Sequence, residues 1–223
     1  MTPDRERLSP QTLLALFGAT MVATVVAVLA IDRPVARFSH DVLRVAGKEQ
    51  WYFVALTDIP DVLPALAGIV FAIALVQVLR GVELGHRMRT LLQVAIVLVV
   101  AIMLKEQLKM LTGRTWPETW TNNNPSYTKD GVFGFFWLKP LLEKTGRAYL
   151  AFPSGHMTII AAACTSLALV VRRLRWVAPI PVALVAIGMI GANYHWVSDL
   201  IGGTALGAAV ALAGHRLAQA SKT

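Results

Sequence analysis

Residues 151–170 read AFPSGHMTIIAAACTSLALV. Pro153, Ser154, Gly155 and His156 stand at the mouth of an apolar run, and from Met157 to Val170 no side chain is charged. Such a run lacks the polar stripe by which a surface helix of a soluble protein faces water. It reads as a helix made for a nonpolar solvent, with polar chemistry gathered at its entrance.

The same pattern recurs along the chain. Runs with almost no charge cover about 12–31, 61–79, 90–108, 155–171, 176–193 and 199–217. A bilayer core is crossed by about 20 helical residues. The run at 90–108 picks up Lys105 and Glu106 only at its far end. The chain is 56% hydrophobic and 15% charged, whereas soluble domains carry about 25% charge. The predicted fold is therefore all-α: one polytopic membrane domain over residues 1–223 with six transmembrane helices. A soluble bundle does not fit. The flank MTPDRER mixes Arg5 and Arg7 with acids, and the apolar part behind it is long, so the first run reads as an anchored helix rather than a cleaved signal peptide. Cys164 is the single cysteine, which rules out an internal disulfide. The net charge of +8 suits headgroups and cytoplasmic loops better than nucleic acid.

Six spans put both termini on one side. The short loops on that side, RGVELGHRMR (80–89) and RRLR (172–175), are basic. By the positive-inside rule these loops and the termini are cytoplasmic, in a bacterial inner membrane, and the other side is periplasmic. Two long segments lie there. In the first, 36–49, Arg37, Asp41, Arg44 and Lys48 share one helical face, and Phe38, Val42, Val45 and Ala46 another. This predicts an interfacial helix after the first span, followed by a Trp51–Tyr52–Phe53 aromatic belt. The second, 109–153, carries Trp116, Trp120, Phe133, Phe135, Phe136 and Trp137, the makeup of a lid dipping into the headgroups. In the last span Gly203, Gly207 and Ala211 recur every fourth residue, a spacing that lets helices approach closely.

Three polar clusters then fall on the same outer side: KEQLKMLTGRTWP (105–117), PSGH (153–156) and NYHWVSD (193–199). A helix N-terminus offers unpaired N–H groups and partial positive charge, so the Ser154–Gly155 step suits phosphate. His156 beside it is placed to donate a proton; Ser154 as a plain helix cap fits the cluster equally well. His195 and Asp199 lie one helical turn apart, a spacing at which the carboxylate holds one ring nitrogen and frees the other as nucleophile. No further ligand stands near them at metal spacing, so neither metal nor cofactor is expected. Lys105 and Lys109 share a helix face and Arg114 follows, supplying cations for phosphate. Together these groups suit metal-free phosphoryl transfer through a phosphohistidine.

With these motifs the chain resembles the type 2 phosphatidic acid phosphatases, over about residues 60–215. That family's pattern is K-x-x-x-x-x-x-R-P, then P-S-G-H, then S-R-x-x-x-x-x-H-x-x-x-D. Lys109, Pro117, Pro153, Ser154, Gly155, His156, His195 and Asp199 match it. The resemblance implies that His195 attacks phosphorus, Asp199 orients it and His156 protonates the leaving oxygen. It implies that Lys109, Ser154 and Gly155 bind phosphate. Two departures stand out: Trp116 replaces the first-motif arginine, and Gly188 and Met189 replace the serine and arginine of the third. Arg114 is the first candidate to reach the phosphate instead; Lys105, Arg147, Asn193 and the run Asn122–Asn124 are further accessory candidates. The implied activity is a lipid phosphatase acting on a phospholipid, isoprenoid or lipid A phosphate at the periplasmic face. A phosphotransferase of the same family, or a non-catalytic lipid-binding or transport protein on the same scaffold, are the alternatives.

Overall fold

The computed structural model describes residues 9–45, 48–119 and 123–220. Arg5, Arg7, Ala46, Trp120 and Asn122 lie outside the described residues. Five helices are long and apolar enough to cross a membrane: α1 (Pro10–Leu43), α2 (Trp51–Leu79), α3 (His86–Thr112), α5 (Arg172–Gly191) and α6 (Val197–Ala220). The shorter apolar helix α4 (Gly155–Val170) makes the sixth. All six predicted spans are therefore present as helices, and the protein is an all-helical polytopic membrane protein. Leu14, Phe17, Leu29, Leu75 and Leu79 point outward and exposed, as lipid-facing side chains do where the solvent is hydrocarbon.

α1 starts as its sequence dictates. Ser9 caps it by accepting from the Thr12 N–H, and Pro10 follows at the first turn, where its missing N–H is no loss. The helix does not stop where the first apolar run ends. It continues through two π-helical segments, Ala27–Ile31 and Ser39–Leu43. The stretch predicted as a separate interfacial helix is thus, up to Leu43, the last turns of α1. Its amphipathic periodicity is the same whether the helix breaks or continues, so composition alone did not fix the break. Phe38, Val42 and Val45 are exposed, as predicted for an apolar outer face.

α4 and α6 form the tightest helix pair, and the glycines explain it. A Cβ on Gly203 would lie 2.5 Å from the Ser154 carbonyl oxygen, and one on Gly207 2.3 Å from that of Thr158. Ala211 is buried in the same seam. Gly188 does the same for α5 on α2, where a Cβ would meet Leu56 and the Phe53 carbonyl, each at 2.7 Å. One apolar cluster joins Ala95, Leu98, Ala101, Ile159, Ala162 and Ala211. A second joins Met157, Ile160, Val185, Met189 and Leu200.

The connection from α3 to α4 turns at Gly113, which is left-handed at φ 58°. Any side chain there would strike the Phe136 carbonyl oxygen, 1.9 Å from an ideal Cβ. The connection divides in two. Arg114 to Glu118 are buried and form an inner wall, whereas Trp137, Leu141 and Leu142 are exposed around the short helix Lys139–Glu143. Among the described residues of the connection, the second part has the apolar surface expected of a membrane-dipping lid.

Candidate active site

The three polar clusters meet at one end of the bundle. His195 sits just ahead of α6, and Asp199 lies in that helix's first turn. Asp199 Oδ2 accepts from the Trp196 backbone N–H at 3.1 Å and pairs with His195 Nδ1 at 3.1 Å. The carboxylate therefore reaches back over its own helix start, in the manner of a capping box, and holds the imidazole as well. This fixes Nδ1 as the protonated nitrogen and leaves Nε2 with a lone pair. His195 is buried, which pushes its imidazole below the ordinary histidine range; Asp199 pulls the other way without overcoming burial. The ring is neutral at neutral pH, as a nucleophile needs.

Ser154 begins α4. Its hydroxyl accepts from the Met157 N–H at 3.5 Å, and its own N–H donates to the Asp199 carbonyl oxygen at 3.0 Å. The cap reading of Ser154 holds, and the same residue ties the second motif to the third. Gly155 leaves room for Lys105, whose Nζ lies 3.3 Å from where a Cβ would stand. Lys105 also pairs with Glu106. Lys109 is buried; its ammonium donates to the Leu150 carbonyl oxygen at 2.8 Å and lies 5.6 Å from the Trp116 ring centroid. His156 is within electrostatic reach of His195, Lys109 and Lys105. Its Nε2 lies 3.3 Å from Asp61 Oδ1, a carboxylate of α2. Arg147, an accessory candidate, is exposed nearby and acts electrostatically on Lys109 and Glu106.

Two of the sequence candidates go elsewhere. Arg114 is fully buried and bonds to Asp199 Oδ1 at 3.0 Å, Ser198 Oγ at 2.5 Å and Asp32 Oδ2 at 2.5 Å. Phe133, Phe135 and Trp196 box its guanidinium, with ring centroids 5.7, 4.5 and 5.4 Å away. Asn193, left-handed at φ 58°, donates to the Ala36 carbonyl and to Glu118. Glu118 is the centre of a second polar knot. It accepts from Thr128 and pairs with His40 at 2.7 Å. Burial raises its carboxyl, but the hydrogen bonds from His40 and Thr128 together with the charges of Arg44 and His40 outweigh burial and hold it below the ordinary range.

The positions of the missing arginines hold apolar side chains. Trp116 packs its ring 5.1 Å from the His195 ring, and its Nε1–H donates to the Arg147 carbonyl at 2.8 Å. Met189 is fully buried in the second apolar cluster. Asp32, Asp61 and Glu118 escaped the motif reading. A signal for Asp32 existed: an acid at the end of a long apolar run is costly in a membrane and is retained for a purpose. Among the described residues, no three His, Cys, Asp or Glu side chains gather as ligands for a metal ion.

Residues 90–222 match the PAP2 superfamily. No curated protein matches the chain. In fold it is similar to the crystal structure of a transmembrane PAP2-type phosphatidylglycerolphosphate phosphatase from Bacillus subtilis. The TM-score is 0.54 at 16% identity, covering 93% of this chain and 96% of that one.

Proposed function

The chain belongs to the PAP2 superfamily, and from that membership we propose that it is a membrane lipid phosphatase working through a phosphohistidine at the periplasmic face. The observation that carries this reading is the buried His195–Asp199 pair, with Nδ1 held at 3.1 Å and Nε2 left to attack. His195 Nε2 forms a bond to phosphorus as the bond to the lipid oxygen breaks, and His156 gives that oxygen its proton. Water then attacks the phosphohistidine, His156 takes the water's proton, and inorganic phosphate leaves. Asp199 stabilises the charge that His195 acquires in between. Lys109, Lys105 and the N–H groups behind Ser154 and Gly155 supply positive potential for the transferring group, with Arg147 as an accessory cation. The mechanism calls on no metal ion.

The test is phosphate release by the detergent-solubilised protein in EDTA, beside His195→Ala. The panel holds lipid monophosphates and diphosphates, among them phosphatidylglycerol phosphate, phosphatidic acid, undecaprenyl diphosphate and lipid A. Release that persists in EDTA and vanishes in the variant is the expected result. Transfer of the phosphoryl group to an added lipid alcohol, in place of release of inorganic phosphate, would instead assign a phosphotransferase. The apolar side chains at Trp116 and Met189 favour a second reading, a non-catalytic lipid-binding protein, and well-folded protein inactive on every lipid would support it.

A further inference from the structure

Asp32 belongs to α1, outside the residues that match the family. It is nonetheless bound to the site from three directions. Its Oδ1 accepts from the Ser198 backbone N–H at 2.9 Å, and its Oδ2 accepts from Ser198 Oγ at 2.6 Å and from Arg114 Nη2 at 2.5 Å. Asp32, Arg114, Ser198 and Asp199 are each fully buried. Arg114 thus lies between two carboxylates, one of which holds His195. Alone, a buried guanidinium on Asp199 would draw electron density from that carboxylate and weaken its hold on the His195 N–H. A second buried carboxylate on the far side of the guanidinium offsets this.

We propose that Asp32 is a positioning residue of the reaction: by neutralising and orienting Arg114, it keeps Asp199 a strong acceptor for His195. A cation was expected to meet the phosphate here; Arg114 is instead turned inward, bonded to Asp199 and Asp32, and its charge acts on His195. The proposal rests on His195 being the nucleophile. The charged and titratable groups facing His195 are Asp199 from α6, Lys109 from α3, Arg114 from the connection and His156 from α4. Among these, Arg114 is the one that Asp32 contacts.

The direction of the effect follows. Asp32→Asn removes a negative charge and leaves Arg114 uncompensated, so the His195 midpoint falls. The shift is on the order of half a pH unit, smaller than a direct neighbour gives, because it acts through Arg114. In an Arg114→Gln background the cation through which Asp32 acts is gone, so adding Asp32→Asn no longer lowers the midpoint.

The experiment is a pH titration of the ring-nitrogen NMR signals of ¹⁵N-histidine protein in detergent, His195 being assigned by its loss in His195→Ala. The midpoint is independent of how much protein folds, so impaired packing does not imitate the shift. A lowered midpoint in Asp32→Asn, absent in the double variant, is the expected result. An unmoved midpoint, or an equal shift in both backgrounds, would overturn the proposal. Phosphate release is measured in parallel, where Asp32→Asn should lower kcat about tenfold with KM little changed. Wild-type protein without phosphatase activity would sink the phosphatase reading alone, since the titration reads His195 without turnover.

Discussion

The His195–Asp199 and His156–Asp61 pairs are built from the same residue types in opposite surroundings. In the His195–Asp199 pair the side chains are 5% and 0% exposed. In the His156–Asp61 pair they are 35% and 60% exposed. Asp199 has every oxygen engaged: Oδ2 by His195 and the Trp196 N–H, Oδ1 by Arg114. Asp61 comes from another helix and is exposed. A group that must attack phosphorus from one direction gains from being held; a group that must exchange protons with water gains from being open. On the mechanism proposed above, environment divides two like pairs into two roles, as it does for paired carboxylates elsewhere.

The largest test of that division is His195→Ala, expected to lower phosphate release by at least about a thousandfold, as loss of a covalent nucleophile does. Residual turnover within tenfold of wild type would break the comparison outright. His156→Ala should cost about 10²–10⁴-fold on a lipid phosphate. It should cost far less on an aryl phosphate, whose leaving oxygen needs no proton. Equal losses on both substrates would mean that His156 is not the acid.

The pH profile sharpens the contrast. On the proposed mechanism His195 attacks when neutral, and burial holds its imidazole below the ordinary value. Activity should therefore persist as the pH falls through about 6.5, the ordinary histidine midpoint, and fail only below it. An acid limb at or above that value in kcat/KM would contradict the buried reading. The smallest effect is expected from Asp61→Asn, a few-fold at most, because exposed ion pairs contribute little. A loss as large as that of His156→Ala would make Asp61 an equal partner and erase the distinction.

Much of this was legible in the sequence because the solvent is hydrocarbon. Apolar runs must become helices there, and the runs read at 90–108 and 199–217 became His86–Thr112 and Val197–Ala220. Small residues at four-residue spacing foretold a close helix contact on α6, and α4 is the helix that makes it. His195 and Asp199 were readable because one helical turn joins them. What stayed hidden depends on contacts between distant segments. Arg114 lies five residues after Lys109, which suggested a shared phosphate, but Gly113 turns the chain and aims the guanidinium at Asp32. Asn193 adjoins the third motif, yet its left-handed backbone directs it to Glu118. Local spacing carries no information on either turn of direction.

The bond between Ser198 and Asp32 joins residues 166 positions apart. During synthesis Asp32 therefore enters the bilayer long before its partners exist. Arg114 arrives after three helices, Ser198 and Asp199 only with the last. An incomplete chain holds a lone acid where the finished protein holds a neutralised one, and it lacks His195 altogether. On the mechanism proposed above, the nascent protein is an inert guest among the lipids, and the site is complete only when the final helix is laid against the first.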